Sequence, residues 1–221
     1  MDDISKKRGR DRESGLEKDA YYSDSYFDFQ QLCSQAHQIY RLGKYRSGRV
    51  LEVGIGNGLV SDFLRRSGCD VTTIDINPDL EPDICCDISD IPTQLAGAKF
   101  DVVVACEVLE HLPFDEFEKS ISTFKQVGED LYLTLPNYKR SFGLGGFLKL
   151  FPRAGYKPFS AFVDLPNNKV LDSEHFWEIG SHPYSSKKAV ADTLSRVWNK
   201  SVYVQSVPVN PYHIEFSTLP L

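Results

Sequence analysis

The ten residues RVLEVGIGNG, Arg49 to Gly58, constrain this chain more than any other stretch. Val50 to Val53 are apolar and β-favouring apart from Glu52, and three glycines follow at alternate positions, Gly54, Gly56 and Gly58. A buried parallel strand that ends in such glycines turns sharply and presents bare backbone N–H groups to a ligand. The next segment, 57–67, carries Leu59, Val60, Phe63 and Leu64 at helical spacing and stops at Gly68, a fitting C-cap. Strand, glycine turn, helix is the opening of a nucleotide-type site at the carboxyl edge of a parallel sheet. The glycines alone do not choose the ligand, because GxGxG shares its logic with the dinucleotide fingerprint and also occurs in plain loops.

Downstream the alternation repeats. A second strand is expected at 70–76, and its Asp75 lies 21 positions after Gly54. A carboxylate at that strand tip can accept hydrogen bonds from both hydroxyls of a ribose; the plainer reading is a turn residue before Asn77-Pro78. A short third strand at 83–86 ends in Asp87-Ile88. That pair either reads an adenine, carboxylate to amine and Ile88 on the ring, or Asp87 caps the turn towards Ser89-Asp90. Cys85-Cys86 reads as core packing, since no second ligand pair completes a metal site. The clearest apolar run, 100–105, leads into CEVLEHLP, then a helix with Phe117, Ile121 and Phe124 on one face, then a fifth strand at 130–135. Alternating strands and helices predict a doubly wound, mostly parallel α/β sheet.

The segments VLEVGIGNG, TTIDINPDL, CCDISDIP, FDVVVACEVLEHLP and LYLTLPN follow one another over about residues 49–137. In that order they resemble the successive motifs of the class I S-adenosylmethionine-dependent methyltransferases, in particular the small-molecule group whose fourth strand ends in an LEH segment. EVLEHLP has no counterpart in nicotinamide dehydrogenases. The resemblance implies a Rossmann-like, seven-stranded sheet with its last strand antiparallel, S-adenosyl-L-methionine as cofactor and S-adenosyl-L-homocysteine as product. It implies that Gly54, Gly56 and Gly58 line the amino-acid and ribose region of the cofactor, and that Glu52 organises the glycine turn or the methionine amino group. Asp75 would hold the ribose, Ile76 would flank the adenine, Asp87 and Ile88 would read its amine, and Cys106 would contact the cofactor through backbone. A carboxylate inside a buried strand is costly without such a partner, which favours a role for Glu52.

A hydroxyl or carbon acceptor needs a base near neutral pH, whereas a thiol or amine needs only alignment and desolvation. The candidates are His111, just after the fourth strand, and His175; His182 is a candidate acceptor contact. Each of the three has the alternative of a hydrogen-bonded packing histidine. Tyr21 and Tyr22 precede the first long helix and either cover the cofactor or pack; Tyr22 is the candidate substrate contact.

The ends of the chain are read from composition and periodicity. Residues 2–20 are charge-dense and nearly free of large apolar groups, so a disordered tail is expected, with the basic cluster Lys6 to Arg10 diluted by neighbouring acids. The segment 24–42 has the spacing of an amphipathic helix. The glycine-rich, aromatic stretch 138–184 reads as an insertion or lid on the acceptor side of a single domain, 21–221. A helix at 186–198, capped by Ser185, and strands at 202–207 and 212–219 complete it, the last pair resembling the hairpin that closes the methyltransferase fold. A net charge of −6 argues against a nucleic-acid-coating role. Five cysteines, odd in number and without CxxC, fit a reducing, cytoplasmic setting. No stretch approaches the roughly 20 apolar residues that a membrane span needs. The expected activity is methyl transfer to a small molecule. The alternatives are a macromolecular acceptor, tRNA or protein, and a cofactor-binding partner protein without turnover.

Overall fold

In the computed structural model, described residues are 9–24, 26, 28–149, 151–152, 155, 157–165, 171–208 and 210–219. In chain order the elements are α1 (Arg10–Glu13), α2 (Phe29–Leu42), β1 (Arg49–Val53), α3 (Leu59–Arg66), β2 (Asp70–Asp75), β3 (Ile84–Cys85), α4 (Ile91–Gln94), β4 (Phe100–Cys106), α5 (Phe117–Val127), β5 (Gly128–Pro136), β6 (Arg140–Leu148), β7 (Lys157–Leu165), α6 (Lys187–Trp198), β8 (Tyr203–Val207) and β9 (Asn210–Ser217).

Seven strands form one sheet in the order β3-β2-β1-β4-β5-β9-β8. The first five are parallel, and β9 enters antiparallel beside β5, with Leu133 opposite Phe216. This is the doubly wound α/β architecture expected from the sequence.

The period of two along each strand explains why the strands read as unbroken apolar runs. Leu51, Val53, Val103, Ala105, Leu131, Leu133 and Leu135 point into one core with Phe117, Ile121 and Phe124 of α5 and Leu194 and Trp198 of α6. Their alternates Val50, Val102, Val104 and Tyr132 point into a second core with Leu42 of α2 and Val60 and Leu64 of α3. Both faces are covered, so both registers of each strand are hydrophobic.

Helix ends follow capping chemistry. Asp28 accepts from the Gln31 N–H and starts α2 later than the spacing from 24 suggests, and Ser186 rather than Ser185 accepts from the Ala189 N–H at the head of α6. Ser185 is instead wholly buried, donating to the Glu178 carbonyl. A separate antiparallel pair, β6 and β7, occupies the stretch read as an insertion, and Lys187 anchors it through Asp164 at 2.7 Å.

The expectation of a disordered tail fails for residues 9–20. Arg10–Glu13 is helical and Lys18–Tyr22 forms a short 3-10 helix. Their charges look solvated in sequence but find distant partners: Lys18 meets Glu81, and Asn77 donates to the Leu16 carbonyl at 2.7 Å. Residues 6–8 of the basic cluster lie outside the described residues. Cys85 departs from the core reading as well: it is exposed, whereas Cys86 packs against the core. Among the described residues no helix is long and apolar enough to cross a membrane.

Candidate cofactor cleft

The sheet order reverses direction between β1 and β4, and a crevice at such a switch point, beyond the carboxyl ends of the strands, is where α/β sheets bind ligands. A cleft of about 1120 Å³, counting its open mouth, lies there. Its walls come from the tips of β1, β2 and β4, from α2 and from the folded N-terminal strap.

The glycine turn forms its floor. Gly54 has φ 80°, and a Cβ on it would run into the Val108 side chain. Its N–H donates to the Ile74 carbonyl at 2.8 Å, which ties the turn to β2. Gly56 has φ 51° and lies under Tyr21. Gly58 does not line the cleft; at φ 74° it is the residue before α3, and Asn57 Oδ1 caps the helix through the Leu59 N–H at 3.1 Å.

Asp75 stands at the tip of β2 and lines the cleft. Its Oδ2 accepts from the Ile55 N–H and its Oδ1 from the Asn77 N–H, both at 2.9 Å. One carboxylate thus holds the glycine turn and the β2 turn together, and keeps lone pairs free towards the cleft. Burial raises its pKa against the pull of those N–H groups. Glu52 also faces the cleft, is 6% exposed, and has one carboxylate oxygen with no partner. Burial pushes its carboxyl up to about 8.

Ile76, Asp87, Ile88 and Cys106 all line the cleft. Burial pushes the Cys106 thiol up. Asp87 is already engaged: one oxygen accepts from the Ser89 N–H and the other from Arg10 Nε. Arg10 also bonds Glu116 through both terminal nitrogens, at 3.2 and 2.6 Å, so the strap is clamped across the mouth.

Tyr21, 6% exposed, faces the cleft, while Tyr22 points out and donates to the Asn57 carbonyl at 3.1 Å. Tyr22, the candidate substrate contact, thus stands outside the cleft lining, because adjacent residues of a 3-10 turn point in different directions. His182 does not line the cleft either. It is exposed and stacks on Tyr184 with ring centroids 4.9 Å apart.

His111 lines the cleft, with Nδ1 3.3 Å from Glu13 Oε1, and burial lowers its pKa. His175 sits behind it, ring centroids 5.0 Å apart and nearly perpendicular. Burial lowers the pKa of His175, but the Glu178 carboxylate at 3.0 Å more than offsets this and raises it. The chain's spacing gave no sign of two further acids. Glu107 lines the cleft with φ 54°, a left-handed backbone that non-glycine residues adopt at a cost. Glu110 is wholly buried, and burial together with the Glu107 charge raises its pKa. The alternation EVLEH is the one sequence signal that could have drawn attention to both.

Fold and cleft together define a doubly wound α/β protein with a ligand-sized crevice at its switch point. The methyltransferase-domain family profile matches residues 26–170, and the chain belongs to that family. Ubiquinone biosynthesis O-methyltransferases of Xanthomonas axonopodis pv. citri and Xanthomonas oryzae pv. oryzae are 38% and 37% identical over 79 residues, 29% of this chain and 33% of theirs. The chain thus spans about a third of the length of the curated relatives it matches.

Among solved structures, the Burkholderia thailandensis 1,6-didemethyltoxoflavin-N1-methyltransferase, holding S-adenosylhomocysteine, has a TM-score of 0.56 at 15% identity, over 88% of this chain and 80% of that one. Magnesium protoporphyrin IX methyltransferase from Synechocystis, with bound S-adenosylhomocysteine, has a TM-score of 0.57 at 16% identity, over 90% of each chain. At such identities the likeness is one of fold.

Proposed function

We propose that this protein transfers a methyl group from S-adenosyl-L-methionine to a small-molecule acceptor, releasing S-adenosyl-L-homocysteine. The observation that carries the reading is the cleft at the switch point, where bare main chain at Gly54 and Gly56 lies beside the Asp75 carboxylate. A sulfonium is already electrophilic. The acceptor's lone pair attacks the methyl carbon while the carbon–sulfur pair returns to sulfur, so the protein's task is alignment and exclusion of water.

Asp75 would hold the ribose and Ile76 the adenine, while Asp87 would share its carboxylate between Arg10 and the adenine amine. The β6–β7 pair, next to β5 in sequence, would wall the acceptor side. The five cysteines form no disulfide among the described residues, which supports a cytoplasmic setting. A net charge of −6 counts against tRNA as the acceptor.

Calorimetry with S-adenosylhomocysteine tests the cofactor site. Asp75→Ala is expected to weaken binding by about 1–3 kcal/mol, because the ribose and the Ile55 N–H both lose a partner. An unchanged dissociation constant would remove the assignment. Methyl transfer from labelled cofactor to a metabolite extract, with none to total RNA or protein, separates the small-molecule reading from a macromolecular one.

Glu52 gives a second prediction. Its carboxyl, held protonated up to about pH 8 in the free protein, ionises when the cofactor's ammonium arrives beside it. Binding at pH 7 should therefore release about one proton, and affinity should rise as pH climbs towards that value. Calorimetry in buffers of different ionisation enthalpy measures the release, and Glu52→Gln should abolish it.

A further inference from the structure

One cluster beside the cleft is left unexplained by cofactor binding. Glu110, His111 and His175 each bring a ligand atom to within 4.8 Å of the others. Glu110 is wholly buried, yet neither of its carboxylate oxygens meets a donor, and its neighbour is another acid, Glu107, with a buried unpartnered oxygen of its own. Glu107 has His213 Nε2 3.5 Å from its other oxygen. Glu110 has no ion pair among the described residues, and a buried carboxyl left so is a cost that a cation relieves.

The imidazoles are placed for one. Glu178 Oε1 holds His175 Nδ1 at 3.0 Å, which orients the ring and leaves Nε2 to ligate, as an outer carboxylate does for metal-bound histidines. His111 Nδ1 makes no hydrogen bond, and the Glu13 carboxylate 3.3 Å away adds a further oxygen on the side facing the cleft.

We propose that Glu110, His111 and His175 form a binding site for one divalent cation of the first transition series. Two imidazoles with a carboxylate select such an ion over magnesium or calcium, which prefer all-oxygen shells. Because His111 also lines the cleft, a hydroxyl-bearing acceptor can complete the coordination there, and the ion favours its ionised form. That role rests on the methyl-transfer reading; the ion site itself does not.

The test is cation binding to the full chain, freed of metal by chelation and titrated with Zn²⁺ or Mn²⁺ by calorimetry. One equivalent should bind, and millimolar Mg²⁺ should not displace it. Glu110→Gln and His175→Ala, checked for folding by circular dichroism, should each weaken binding by more than the roughly 10- to 100-fold that outer-sphere changes produce. No uptake by the unmutated protein, or undiminished uptake by both variants, overturns the proposal.

Should the variants not fold, Co²⁺ in the unmutated protein replaces them. Paramagnetic broadening of the His111 and His175 ring protons, and of neighbouring His213, with His37 and His182 spared, supports the site; broadening centred on His37 or His182 overturns it. Methyl transfer enters neither readout, so failure here leaves the cofactor assignment standing.

Discussion

Arg41→Ala is expected to cost about 3–5 kcal/mol of stability, because it removes the permanent positive charge from a buried ion pair. Glu215 on β9 is wholly buried and accepts from Arg41 Nε at 2.8 Å, from His37 Nε2 at 2.8 Å, from Gln205 Nε2 at 2.6 Å and from Ser217 Oγ at 2.9 Å. Arg41 also donates to Ser217 Oγ at 3.1 Å, so the network ties α2 to the antiparallel edge of the sheet. Burial raises the Glu215 pKa, but the donors, His37 first, outweigh it and hold the carboxyl below its ordinary value.

The sign of the pH dependence follows. The native state binds the proton less tightly than the unfolded chain, so this contribution is present above the unfolded carboxylate pKa and is lost as pH falls through the lowered native one. Urea denaturation of Arg41→Ala should show a lower midpoint with the slope unchanged. The paired change Arg41→Met with Glu215→Leu should recover most of the loss, since it removes both charges from the interior. A single variant within 1 kcal/mol of the parent, on the order of an exposed ion pair, would show the network to be dispensable.

Trp177→Ala is the second large effect, about 3–5 kcal/mol from the cavity left in the core. Trp177 is wholly buried, packs edge-to-face on Phe114 and Phe117 at 4.9 and 5.5 Å, and donates from Nε1 to the Leu112 carbonyl at 3.1 Å. It joins the segment that carries His175 to the loop that carries His111. Trp177→Phe fills most of the space and strands only the carbonyl, so it should cost about 1–3 kcal/mol. Thermal unfolding of the two variants separates packing from hydrogen bonding; equal losses would place the whole effect in the lost donor.

The strands were legible because a sheet covered on both faces writes continuous apolar runs into the chain, as at 100–105 and 130–135. Asp75 was legible because its distance from Gly54 is set by one helix and one strand. What stayed hidden depends on partners far away in sequence. Arg10 reads as part of a solvated tail, and only the fold brings it to Asp87 and Glu116, 77 and 106 positions away. Tyr21 and Tyr22 are adjacent, and composition cannot say which faces inward. The β6–β7 pair was read as an apolar insertion without its strands, because Gly143, Gly145 and Gly146 weaken any local β preference. Glu110 looks like any acid on a turn until its burial is seen.

The clasp made by residues 10–22 is stitched to the strand tips by separate ion pairs and single hydrogen bonds, each worth ~0–1 kcal/mol at a wet surface. No one stitch holds it shut, so solvent salt slackens the whole seam gradually. Whatever sits beneath adds partners from below, and by reciprocity a sealed clasp retains its guest by the same factor that the guest favours sealing. Under the methyl-transfer reading proposed above, the amino-terminal edge of the cleft would then set how fast spent product escapes.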